Sequence, residues 1–142
     1  MTSHEPSDPF LEDFNRCWPW LEAAIAVFAF EHDGKIWPTH RKEDILKGIQ
    51  NGHFFFWPGK KCAILTQVRT SPTGLKTHIT WATGGIPNES LDEVKELTAL
   101  IEWWGRNQGC HRQSGHGRPG WSRVLGYESR GGINKYKNLL VP

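Results

Sequence analysis

The chain has 142 residues, 37% of them hydrophobic and 12% aromatic, with eight tryptophans and a formal net charge of only +2. That length and apolar content suit one folded domain, 1–142, with a core of its own, and exclude a chain disordered throughout. Cys17, Cys62 and Cys110 are odd in number and far apart, which gives no disulfide framework and implies a reduced, cytoplasmic setting.

Met1 to Ser7 is polar and expected to fray, so residues 1–8 are read as flexible. Asp8-Pro9 opens a helix, with Asp8 as cap and Pro9 at the first helical position. Pro19 is expected to break or restart it. Trp20, Leu21, Ala24, Ile25 and Phe28 then recur at helical spacing, predicting a helix over about 19–31. The most apolar window, Trp20 to Phe30, is 11 residues long and contains Glu22, too short to cross a bilayer. No signal peptide is read at the start.

Asp33-Gly34 marks a turn. Thr39 opens a second helix, about 40–51, whose buried stripe is Ile45, Leu46 and Ile49 and whose stop is Asn51-Gly52. Strand character follows in His53–Trp57, Cys62–Val68 and Thr77–Ala82, separated by Pro58-Gly59 and by Ser71-Pro72-Thr73-Gly74. Three such runs joined by Pro/Gly turns predict an antiparallel meander. The run His53–Trp57 is too apolar for an exposed strand; it is either covered by the N-terminal helix or buried against another chain.

Ser90-Leu91-Asp92-Glu93 has the form of a capping box, in which Ser90 caps and Glu93 reaches back. Leu91, Val94, Leu97, Ile101 and Trp104 carry that helix to about Gln108, with Gly109 as its stop. Cys110–Gly115 reads as a short strand, Pro119–Leu125 as a short helix, and Tyr127–Arg130 with Asn134–Leu140 as a final hairpin. The order α-α-β-β-β-α-β-α-β-β predicts an α+β, three-layer fold with helices covering a mixed central sheet.

Three stretches carry a resemblance: Cys17–Ala24, Trp57–Ala63 and Gly117–Leu125, the last running into Gly126-Tyr127. Over roughly residues 15 to 140 the chain resembles the GNAT acyltransferase fold, most nearly the small GNAT-like proteins of bacteriophages and prophages. The resemblance implies that acetyl-CoA lies between the strand before the long helix and the next strand. Its pyrophosphate would rest on backbone N–H groups at the helix N-terminus, through an Arg/Gln-x-x-Gly-x-Gly/Ala loop. Gly84 and Gly85, in Thr83–Ser90, are the cofactor-binding candidates at that position. Their spacing departs from the pattern, Pro87 lacks a donor, and Glu89, Asp92 and Glu93 place negative charge where a diphosphate would dock. The resemblance also implies a tyrosine acid four residues before the glycine of Gly126-Tyr127; Ser122 stands there, so no catalytic residue is assigned.

Charge is unevenly placed. Residues 1–33 carry seven acids against Arg16, and residues 110–142 carry six bases against Glu128. Arg112, His116, Arg118, Trp121 and Arg123 form a basic-aromatic cluster, the anion- or partner-binding candidates. Cys110, His111 and His116 are too few convergent ligands for zinc, since neighbouring strand residues point to opposite faces; no metal is expected.

The expected function is that of a GNAT-like phage scaffold, a non-canonical or inactive acyltransferase. It would act by binding a host or phage protein or macromolecule, or in virion assembly, within the host cytoplasm or the virion. One alternative is an active acetyl-CoA-dependent N-acyltransferase. The other is a nucleic-acid-binding module using the basic C-terminal segment. No cofactor is expected unless the acetyl-CoA alternative holds. No membrane association is expected, and the oligomeric state is left open.

Overall fold

The computed structural model describes residues 8–116, 128–129 and 134–139. The readings made for residues 1–7, for the short helix after Pro119, and for Ser122, Arg118, Trp121 and Arg123 lie outside them.

Helix α1 spans Asp8–Ala26 without a break. Phe14, Cys17, Leu21 and Ile25 are buried along one stripe, the three- and four-residue spacing of an amphipathic helix. Pro19 sits inside the helix, which corrects the break expected there. Its ring is on the exposed side; it removes one backbone hydrogen bond and crowds the carbonyl of the preceding turn, and the buried stripe on either side outweighs both costs. The helix also ends five residues earlier than its apolar sequence suggests, at Ala26 rather than at position 31.

The chain turns instead into a small hairpin, β1 (Phe30–His32) and β2 (Lys35–Trp37), pairing Phe30 with Trp37. The turn is where Asp33-Gly34 predicts it. Both residues have positive φ, 50° and 75°, the backbone that lets a two-residue turn match the twist of its strands. Helix α2 spans Lys42–Gln50, with Arg41 rather than Thr39 at its cap position. The Asp44 carboxylate accepts the Arg41 N–H at 2.8 Å, and Gly52, at φ 77°, follows its end.

The remaining strands are β3 (Phe55–Pro58), β4 (Cys62–Thr70), β5 (Lys76–Gly85), β6 (Arg112–His116), β7 (Glu128–Ser129) and β8 (Asn134–Asn138). Helix α3 (Leu91–Asn107) lies between β5 and β6. Among the described residues the strands form one sheet in the order β3-β4-β5-β6-β8-β7. The pair β5/β6 is parallel and the other pairs are antiparallel. The meander and the mixed sheet agree with the sequence. The element order does not, because the β1–β2 hairpin separates α1 from α2.

Strand β4 shows how the core is divided. Ala63 and Leu65 pack with Phe14, Leu21 and Ile45 of α1 and α2. Cys62 and Ile64, pointing the other way, pack with Val94 and Ile101 of α3. Helices therefore cover both faces, and each fully buried Leu, Ile or Phe contributes about 2 kcal/mol of transfer free energy. The same alternation explains the apolar run at β3. Phe56 meets Phe10 and Phe14 of α1, while Phe55 and Trp57 meet Trp104 of α3. Both faces of this strand are covered within the chain.

Strands β4 and β5 slip by one residue: Leu65 pairs with Ala82 but Thr66 pairs with Thr80, leaving Trp81 as the extra residue of a bulge. Trp81 and Ala82 consequently both pack toward the α1–α2 core.

Candidate functional site

The stretch from the end of β5 to the start of α3 holds the glycines singled out for a cofactor. Gly84 lies against α1 so closely that a Cβ there would overlap the Trp20 carbonyl. A Cβ on Gly85 would come within 2.7 Å of the Lys61 carbonyl and 2.8 Å of Ser90 Oγ. In this structure both glycines permit close backbone packing, of α1 over β5 and of the β3–β4 turn beside it.

The helix start differs from the capping box expected for it. Ser90 is the cap residue but makes no side-chain cap hydrogen bond; its hydroxyl donates to the Ile86 carbonyl at 3.0 Å. Glu93 does not reach back to Ser90. Its carboxylate accepts the backbone N–H groups of Lys60, Lys61 and Cys62 at 3.0, 2.7 and 3.0 Å. Partial burial pushes the Glu93 carboxyl upward, but the hydrogen bonds from Lys61, Cys62 and Lys60 outweigh it and hold the group below the usual carboxylate range. Arg16 completes this corner by donating to the Gly59 carbonyl at 2.9 Å.

Strands β5 and β6 pair in parallel from Thr77/Arg112 to Thr80/Gly115. Beyond Thr80, β5 continues to Gly85 with β4 as its paired neighbour.

At the opposite end of the same strands lies a cavity of about 440 Å³, whose lining includes Gln67, Arg69, Thr77, Trp81, Arg112 and Ser114. Register brings them together: Arg69 pairs with Thr77, and Thr77 with Arg112, forming one row across three strands. Arg112 donates from Nε to Thr77 Oγ1 at 3.0 Å. Arg69 reaches Gln67 Oε1 at 3.3 Å. Of the basic-aromatic candidates, the structure thus places Arg112 in a cavity. It places the His116 backbone at the end of β6, and Arg118, Trp121 and Arg123 lie outside the described residues. Arg69 was not singled out by the sequence. Its alternation with Gln67 along β4 is the available signal, and only the pairing with β5 and β6 gives it a cationic neighbour.

Beneath α3 is a buried polar network. His78, fully buried, bonds through Nε2 to Thr66 Oγ1 at 2.7 Å, and Trp57 Nε1 donates to the same oxygen at 3.0 Å. Gln113, also fully buried, donates to Thr80 Oγ1 at 3.0 Å. Burial lowers the His78 pKa to about 4, and Gln113 and the Ile101 backbone offset only part of that. The three cysteines are free and buried. Burial raises all three thiols, Cys62 to about 12 with Glu93 adding to the shift, so none is poised as a nucleophile. Among the described residues no three His, Cys, Asp or Glu side chains converge as a metal group, and no helix is long and apolar enough to cross a membrane.

No protein-family profile matches the chain, and no curated protein shows significant similarity to it.

Proposed function

We propose that the chain is a GNAT-like scaffold, of the kind carried by phages, that works by binding a protein partner and does not hold acetyl-CoA in the usual way. The observation that carries this reading is the Glu93 carboxylate. It occupies the first turn of α3 and ties that turn to the N–H groups of Lys60, Lys61 and Cys62. A diphosphate brought to that helix end would meet Asp92 and Glu93. At an effective dielectric near 20, each close like-charge contact costs on the order of a few kcal/mol before screening. Gly84 and Gly85 are already packed against backbone.

What supports the GNAT-like part is the sheet. The pair β5/β6 flanks the long helix α3 and is parallel within an otherwise antiparallel sheet, as the resemblance requires of the strands that part around the cofactor. What supports a protein partner is the β1–β2 region, where Val27, Phe30, Ile36 and Trp37 are 77%, 62%, 65% and 47% exposed. Large apolar side chains grouped at the surface mark interaction sites.

Thermal denaturation with acetyl-CoA tests the reading. A ligand that binds only the folded state raises the melting midpoint. No rise is expected at cofactor concentrations up to about 1 mM, where a dissociation constant of about 10 µM would add roughly 2.7 kcal/mol. A rise of several degrees would replace this reading with that of an acetyl-CoA-dependent acyltransferase.

A further inference from the structure

We infer that the outer edge of β2 is where a second copy of this chain docks, so that two β1–β2 hairpins join across a two-fold axis at Ile36 into a four-stranded sheet. The inference rests on the reading of the β1–β2 region as an interaction surface and names its occupant; it does not depend on whether acetyl-CoA binds.

The hairpin is an incomplete sheet. Among the described residues β2 pairs with β1 alone, and all six strand residues are exposed. A two-stranded hairpin by itself is marginally stable in water and gains from further strands. One of its faces is already aromatic: the Phe30 ring lies 5.4 Å from that of Trp37 and 6.3 Å from that of His32.

The turn decides which backbone groups the open edge presents. Asp33 and Gly34 both have positive φ, the two-residue turn whose flanking residues, here His32 and Lys35, form a closing hydrogen-bonded pair. Such pairs alternate along an antiparallel ladder, so Glu31 and Ile36 turn their backbone N–H and C=O groups outward. Strand β2 therefore offers a donor and an acceptor at Ile36, and a two-fold axis there satisfies both reciprocally. The side chains agree with that register. Lys35 stands opposite Trp37 of the second copy, a cation beside an aromatic ring, and on the other face Ile36 stands opposite Ile36.

Other self-pairings lose something. Centred on Lys35, the contact would oppose two ammonium groups, and along β1 it would oppose Glu31 with Glu31; like charges directly opposite destabilise a sheet. Centred on Trp37, it would need the N–H that Pro38 lacks. The two-fold contact at Ile36 uses up the β2 edge of both copies and leaves Glu31 on the two outer edges, so the assembly closes as a dimer.

The strand is short, so the contact falls below the roughly 1,200 Å² of a standard interface and the dissociation constant should be on the order of 100 µM. Sedimentation velocity of the full chain from about 10 µM to about 1 mM should show monomer giving way to dimer. Ile36→Lys puts two like charges at the axis and should weaken the dimer about tenfold or more, with little change in the melting midpoint of dilute protein. Register is read by Ile36→Cys. The Cα atoms of a hydrogen-bonded antiparallel pair are about 5.5 Å apart, within the reach of a disulfide, so this variant should become a covalent dimer in oxidised glutathione. Glu31→Cys, exposed on the other edge, should cross-link far more slowly, and the three native cysteines are buried.

Three results would overturn the pairing: monomer at every concentration, a dimer that Ile36→Lys leaves intact, or cross-linking of Glu31→Cys as fast as that of Ile36→Cys. The first would hand the hairpin to a partner of unlike sequence. In each case the melting test with acetyl-CoA decides the cofactor reading separately.

Discussion

His78 is an ionisable side chain placed where water does not reach, and its chemistry follows from that position. The imidazole is held between Thr66 and the ring of Trp104, whose centroid is 5.1 Å away. Its pKa falls from 6.5 to about 4 because burial penalises the charged form. In the unfolded chain the same group protonates near 6.5. A depressed folded pKa means that the stabilisation is fully present above pH 6.5 and is lost as pH falls toward 4. The whole effect is about 3 kcal/mol, of which about 2 kcal/mol is gone by pH 5. Urea unfolding at pH 7 and pH 5 should show that drop, and His78→Gln should remove most of the difference. Equal midpoints at the two pH values in the wild type would contradict the burial of a neutral imidazole.

Pro19 poses the question of propensity against packing at the scale of an element. It lies mid-helix on the exposed side of α1, while Cys17 and Leu21 on either side are fully buried. If packing alone holds the helix through this point, Pro19→Ala restores a donor and removes a clash. It should then raise stability by about 1–3 kcal/mol, read as a higher melting midpoint by circular dichroism. A lower midpoint would show that the proline shapes α1 for its contact with Gly84.

The same balance explains what was legible in the sequence. Most of each helix's buried stripe and the meander could be read because each depends on residues a few positions apart, although Leu91 is exposed and Phe28 lies beyond the end of α1. The β1–β2 hairpin could not, although its Asp33-Gly34 turn could. Its strands have three residues each and every one is exposed, so no alternation marks them. Ser90–Glu93 matches a capping box locally, yet Glu93 is drawn to the β3–β4 turn, a partner about thirty positions earlier that a local pattern cannot include. Arg69 was missed for the same reason: its significance depends on a strand register that only the folded sheet fixes.

At the scale of the whole molecule, the sheet is a shared wall between two cores, one under α1 and α2 and the other under α3. Glu93 joins these layers: it starts on α3 and ends on the turn joining β3 to β4, beside Arg16 of α1. The consequence is one of cooperativity. A turn at a sheet edge ordinarily exchanges its amide hydrogens through small local openings. Here the N–H groups of Lys61 and Cys62 are released only when the carboxylate lets go, so they should exchange as slowly as the amides of β4. Glu93→Ala should uncouple them, speeding exchange at Lys60–Cys62 while the β4 interior keeps its protection. A single carboxylate would then decide whether the far edge of the sheet opens by itself or only together with the helix above it.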